Sequence, residues 1–250
     1  MGTIAVISDV HGNLEALQAV LGRIDELGVD AIYSLGDVVG YGPDPEACLR
    51  LTVERCRLRL MGNHEHAVIH SELAFSFNRI AQEALEWTRI RLRKADLLGH
   101  LEGLQPHHQE GDLLFVHGSA RDALEEYVTE SDRSGHSNFD EMVESLEKDF
   151  TSFRLCFVGH NHKPFLATTE GFLHPHDSQR EFQVPPDEKL YLSVGSVGQP
   201  RDRDTRACFV TFDGTKVAYH RVPYPFDITA EKIRSRGLPA FLADRLGQGR

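Results

Sequence analysis

Five short apolar runs in this chain each stop at a small cluster of histidine, aspartate or asparagine. Residues 3–8, 31–35, 58–61, 113–116 and 155–158 run in turn into Asp9-Val10-His11, Gly36-Asp37, Gly62-Asn63-His64-Glu65, His117-Gly118 and Gly159-His160-Asn161-His162. Short apolar runs cut off by turn formers read as buried strands. Between the first two, Leu14, Leu17, Val20, Leu21, Ile24 and Leu27 recur at helical spacing. Asn13 is placed to cap that helix and Gly28 lies just past its end. Strand, helix and strand in this order make a βαβ unit, so the two strands are expected to be parallel.

The pattern repeats along the chain. A short helix is expected over 45–53, a long helical stretch over about 67–98, and an amphipathic helix over 138–150 with Phe139, Met142, Val143, Leu146 and Phe150 on one face. The last third changes to short strands over 165–169, 191–194, 208–212 and 217–221, the last pair joined by the turn signal Asp213-Gly214. Asp227 is placed to cap a C-terminal helix, and residues 247–250 are expected to fray. No repeat, low-complexity tract or linker divides the chain. The expectation is one α/β domain over 1–250, with helical inserts at about 67–98 and 122–150.

Every polar motif thus sits at the C-terminal end of a strand, the edge of an α/β sheet where converging loops build sites. Asp9, His11 and Asp37 bring two carboxylates and an imidazole. Asn63 adds a neutral carbonyl oxygen, and His117, His160 and His162 add three imidazoles. Mixed nitrogen and oxygen ligation without thiolate suits Mn²⁺ first, and Fe, Zn²⁺ or Ni²⁺, better than Ca²⁺ or a structural zinc. The ligands are numerous enough for two divalent ions. A carboxylate bridging such a pair holds the ions about 3.5–4 Å apart and lowers the pKa of a shared water, which is the chemistry of phosphoester hydrolysis.

Composition bounds the partners. With 38 acidic against 27 basic residues the formal net charge is −11, which argues against an extended nucleic-acid-binding face. A nucleotide substrate stays open, because two dications reverse the local field. A small phosphoester is the expected partner, and no motif bears on oligomeric state. Cys48, Cys56, Cys156 and Cys208 show no CxxC spacing, and Cys156 and Cys208 lie within apolar runs. Four such cysteines make no disulfide framework, so a reducing cytoplasm is expected. The first strand starts at about Thr3, leaving no room for a signal peptide, and no apolar run reaches the roughly 20 residues of a membrane span.

In order, the motifs read DxH, GD, GNH, a lone His and GHxH. This series resembles the calcineurin-like metallophosphoesterase superfamily from Asp9 to His162, and Gly195-Ser196-Val197-Gly198-Gln199-Pro200-Arg201 extends the likeness. By length and by that segment the chain is similar to the small prokaryotic YfcE-type phosphodiesterase branch. The resemblance implies a four-layer αββα sandwich. It implies that Asp9, His11 and His162 hold one metal, that Asn63, His117 and His160 hold the other, and that Asp37 bridges them. It makes His64 a non-ligand histidine facing the leaving-group oxygen as a general acid or electrostatic stabiliser. The implied activity is hydrolysis of a phosphodiester or phosphomonoester by in-line attack of a metal-bridging hydroxide. A nucleotide-pyrophosphate hydrolase acting on dinucleoside polyphosphates shares that chemistry. A non-catalytic scaffold on the same fold would have lost ligands, and none is missing here.

The chain departs from the protein Ser/Thr phosphatases of this superfamily, which carry GDxVDRG. Here Gly40 stands where their Asp orients the catalytic histidine, and Tyr41 stands where their Arg binds phosphate. Arg201 is a candidate phosphate contact by guanidinium geometry, and Tyr41 a candidate to stack on a substrate ring. Glu65 reads as structural, and Trp87 as a helix contact. His66, His70, His100, His107, His108, His136, His174, His176 and His220 read as loop or surface residues.

Overall fold

The computed structural model describes residues 2–130, 153–168, 171–186 and 188–250. The βαβ unit is present as expected: strand β1 (Ile4–Ile7), helix α1 (Leu14–Leu27) and strand β2 (Ala31–Ser34), with β1 and β2 parallel. Asn13 accepts from the Ala16 amide at 3.2 Å at the helix start, and Gly28 closes it in the left-handed conformation (φ 64). Helix α2 (Pro45–Arg55) leads into β3 (Leu58–Arg59), which pairs parallel to β2.

Two six-stranded sheets face each other. The first has the order β3-β2-β1-β11-β12-β9, with β9 at Glu181–Gln183, β11 at Ala207–Phe212 and β12 at Lys216–Val222. The second has the order β4-β5-β6-β10-β7-β8. Its strands are β4 (His107–Glu110), β5 (Leu113–Val116), β6 (Leu155–Val158), β7 (Phe165–Thr168), β8 (Gly171–Leu173) and β10 (Leu190–Ser193). Alternation assigns the faces. Ile4, Val6, Phe115, Phe157, Leu192, Val210 and Phe212 meet between the sheets, while Ala5 and Ile7 turn outward to pack on Leu17, Val20, Leu21 and Ile24 of α1. Ala120, Val128 and Phe153 pack on the outer side of the second sheet, against Val116, Cys156 and Tyr191. This is the α/β sandwich expected. The helix expected over 138–150, His136 and most of the 122–150 insert lie outside the described residues.

The expected 67–98 helix is three pieces. Helix α3 (Asn63–Ile69) begins inside the GNH motif, a 3-10 turn covers Ser71–Ser76, and α4 (Arg79–Lys94) restarts at a fresh cap, where Asn78 accepts from the Ala81 amide at 3.1 Å. His107 and His108 lie on the edge strand β4, not in a loop, and His220 lies within β12, stacked on Phe209. Two corrections concern the C-terminus. Pro225, not Asp227, stands at the cap of helix α5 (Phe226–Ser235), leaving Asp227 in the first turn, where its charge favours the helix dipole. Residues 247–250 are tied down, with Gly249 buried and its carbonyl accepting from the Arg203 amide at 2.9 Å. Helices α5 and α6 (Ala240–Asp244) form a small apolar cluster with Ala84, against which Tyr41 and Trp87 pack. Among the described residues no helix is long and apolar enough to cross a membrane.

Candidate metal centre

Five of the seven expected ligands adopt a left-handed backbone. Asp9 (φ 55), His11 (φ 48), Asp37 (φ 51), His160 (φ 64) and His162 (φ 61) all leave their strands this way. For a residue with a Cβ this costs about 1–2 kcal/mol each. Cross-loop hydrogen bonds enforce it. The Asp9 amide donates to Gly36 O at 3.1 Å, that of His11 to Asp37 O at 2.9 Å, and that of Gly198 to Asp9 O at 2.9 Å. The reversal turns side chains from successive loops toward one point. Glu65 is the clamp beneath it, accepting from the amides of Asp37 (2.7 Å), Gly62 (2.9 Å) and Val39 (3.0 Å). That confirms its structural reading.

Asp9, His11 and His162 converge with ligand atoms within 4.8 Å of one another, as do Asp37, His117 and His160, and as do His11, Asp37 and His64. Asp37 also reaches the first group, its Oδ2 lying 3.6 Å from His11 Nε2 and 3.3 Å from His117 Nε2. Second partners set the tautomers. Nδ1 of His11, His117 and His162 each faces a backbone carbonyl, of Val39 (3.2 Å), Leu35 (3.1 Å) and Gln199 (2.6 Å). A carbonyl only accepts, so Nδ1 carries a proton in all three, and in His11 and His162, which burial keeps neutral, Nε2 carries the lone pair. His160 is reversed. Its Nε2 faces Glu125 O at 3.1 Å, leaving Nδ1 for the cluster.

This assignment creates a conflict that a cation resolves. His11 Nε2 and His162 Nε2 lie 3.2 Å apart, and His162 Nε2 lies 3.2 Å from Asp9 Oδ1. These are lone pairs facing lone pairs. Burial holds both imidazoles well below their usual range, so neither ring is charged to relieve the contact. Asp9 Oδ1 and Asn63 Oδ1 are buried with no hydrogen-bond partner, which for native polar atoms calls for an explanation. Burial also pushes the Asp9 carboxyl up to about 7, against the pull of His117. For Asp37 burial acts the same way, but His117 and His64 outweigh it and hold the carboxyl well below its usual range. His117, which burial alone would lower, is raised to about 9 by Asp37. The donor set fits divalent cations.

His64 sits beside the cluster. It is buried, and burial pushes it down to about 4. Its backbone amide donates to Asp37 Oδ1 at 2.9 Å, and its ring packs against Tyr41 (4.4 Å), His11 (4.7 Å) and Phe77 (5.3 Å between centroids). Its Nδ1 has no hydrogen-bond partner. A cleft of about 180 Å³ opens over the ligands and is lined by His64, Tyr41 and Arg201, with Phe77, Glu125 and Tyr127. Gln199 Oε1 holds the Arg201 guanidinium, at 2.8 Å from Nη2. The seven expected ligands, His64, Tyr41 and Arg201 therefore lie at one place. The reading of the sequence missed Glu125, Tyr127 and Phe77, which come from connecting segments without a motif.

The family model for calcineurin-like phosphoesterases matches residues 2–193. This chain belongs to the calcineurin-like phosphoesterase family. Its relatives include an uncharacterized protein of Methanocaldococcus jannaschii, 35% identical over 99% of this chain and 98% of the other. A metallophosphoesterase of Sphaerobacter thermophilus, known as a crystal structure, is 35% identical, covers 100% of this chain and 99% of its own, and superposes with a TM-score of 0.82. A symmetrical bis(5′-nucleosyl)-tetraphosphatase of an Acidovorax species is 32% identical over 120 residues, 44% of this chain and 42% of the other. Family membership implies hydrolase activity on phosphoesters and makes divalent metal binding the meaning of the buried His/Asp cluster.

Within this family, Gly40 answers what orients His64. A Cβ at Gly40 (φ 87) would lie 2.1 Å from His64 Nδ1. The orienting aspartate of the protein phosphatases has no room here, and ring packing by Tyr41 and Phe77 takes its place. Gly40→Ala is expected to displace the imidazole and lower kcat by about 10²-fold, the scale of a misplacement near 1 Å. Metal content measured by mass spectrometry should stay at the wild-type level. Unchanged kcat would show that Gly40 does not set the His64 position.

Proposed function

We propose that this protein is a metal-dependent phosphodiesterase that also accepts phosphomonoesters. The observation that carries the reading is the facing lone pairs of His11, His162 and Asp9, buried beside a cleft that His162, His160, Asn63 and Asp37 line. We assign Asp9, His11 and His162 to one cation, Asn63, His117 and His160 to a second, and Asp37 to both, with Mn²⁺ as the first choice of metal. Two such cations lower the pKa of water and neutralise charge on phosphoryl oxygens. The remaining work falls to residues of the cleft. Arg201 binds and orients the phosphoryl group through its planar guanidinium, and Tyr41 offers a ring face beside it. His64, outside the ligand set, holds a proton toward the leaving oxygen. A reducing cytoplasm suits the four cysteines, which are all free.

The test is hydrolysis of bis(p-nitrophenyl) phosphate and p-nitrophenyl phosphate by metal-stripped protein with Mn²⁺ restored. Turnover of the diester, dependent on metal, is expected. Turnover of the monoester alone would make this a phosphatase. Turnover of neither, with metal shown bound, would overturn the reading for simple esters. A dinucleoside polyphosphate hydrolase is the second reading, favoured by the partial likeness to the Acidovorax enzyme.

A further inference from the structure

Beyond the metal cleft lies a second chamber of about 400 Å³. Tyr127 and Arg201 line both spaces, so the two share a wall. Tyr127 stacks on His160 at 3.9 Å between centroids and 19° between planes, which fixes that wall to the metal cluster. The far side of the chamber is apolar and aromatic, with Phe165 and Phe172 meeting edge to face at 5.0 Å. Lys163, next to His162, stands at the rim, and its ammonium has no carboxylate partner among the described residues. Arg201 likewise has no salt-bridge partner among the described residues, and its guanidinium donates to Gln199 Oε1. Glu130, the acidic residue of the lining, is engaged by His174 at 3.2 Å. In a chain of net charge −11, two cations left without carboxylates beside an aromatic wall are complementary to an anion that carries a ring.

We propose that this chamber is a nucleotide subsite, in which Lys163 takes a phosphoryl group next to the scissile one that Arg201 orients, and the Phe165–Phe172 wall takes the base. The proposal rests on the phosphoesterase reading for the position of the scissile group, and it narrows the substrate to a nucleoside carrying at least two linked phosphoryl groups.

The test is calorimetric binding to metal-loaded protein, which needs no turnover. Three probes differ by one feature each: inorganic phosphate, methylenediphosphonate, and adenosine 5′-(α,β-methylene)diphosphate. Affinity is expected to rise along that series. Lys163→Ala should weaken both two-phosphorus probes about tenfold, the scale of one charge-assisted contact, and leave inorganic phosphate within about twofold. Phe172→Leu keeps apolar volume while removing the ring, and should weaken only the adenosine probe, by about fivefold. The subsite is overturned if the adenosine probe binds no tighter than phosphate, or if its affinity ignores Lys163→Ala. Its failure differs from that of the parent reading. Ester turnover without nucleotide preference removes the chamber alone, whereas the expected affinities without ester turnover keep the chamber and remove the esterase.

Discussion

Asp37→Asn is expected to abolish turnover, by roughly three to four orders of magnitude, while leaving the fold intact. Asp37 reaches a member of each proposed ligand set, with His117 Nε2 at 3.3 Å and His11 Nε2 at 3.6 Å from the same oxygen. Asparagine keeps the shape and the backbone amide that Glu65 holds at 2.7 Å, but it removes the negative charge that would serve two cations. Several kcal/mol of charge stabilisation are at stake, and each 1.36 kcal/mol is a factor of ten in rate. The local fold has its own supports in the Glu65 clamp and the cross-loop amides. Two measurements check this together: turnover of bis(p-nitrophenyl) phosphate, and the rise in Tm when Mn²⁺ is added. Wild-type protein should gain stability with metal concentration, since a ligand that binds only the native state stabilises by mass action. The variant should lose most of that gain. A variant with full turnover would remove Asp37 from the bridging position.

His64→Ala should separate chemistry from metal binding. The ring lies against His11 and Tyr41, and its Nδ1, which has no hydrogen-bond partner, faces the backbone of Gly40. Its removal is expected to lower kcat by about 10²–10⁴-fold, the range for a positioned proton donor, while metal content stays unchanged. The loss should shrink as the leaving group improves. A nitrophenolate departs without help, whereas an alkoxide needs a proton. Burial pushes His64 down to about 4, so its ring is neutral at neutral pH. A series of aryl and alkyl diesters gives the readout. Equal losses across the series would leave His64 with an electrostatic or packing role and no acid role.

The legible part of this fold is the part written in periodicity. Strands β5 and β6 fall where the apolar runs place them, and helix α1 starts and stops at Asn13 and Gly28. The residues expected as ligands could be placed together from the sequence because chemistry and backbone coincide: each follows a strand, and the end of a strand is visible as an apolar run meeting a polar motif. What escaped has no such mark. The edge strand β4 is His107-His108-Gln109-Glu110, which has no apolar alternation and forms by pairing with β5. The break between α3 and α4 hid inside a window of good helix formers, although the Asn78 cap was there to be read. The second chamber draws on β7, β8 and four connecting segments far apart in sequence, so only the tertiary arrangement assembles it.

The left-handed turns at Asp9, His11, Asp37, His160 and His162 carry an evolutionary consequence. Those positions are chosen twice, once for what they ligate and once for the handedness of their backbone. Aspartate, asparagine and histidine tolerate that handedness, glycine adopts it at no cost, and β-branched residues resist it. A descendant that abandoned the metals would therefore drift toward asparagine and glycine at these five sites, not toward valine or isoleucine. Its loops would keep the curl of a vanished active site, and an extinct enzyme of this lineage would stay recognisable by shape after its chemistry had gone.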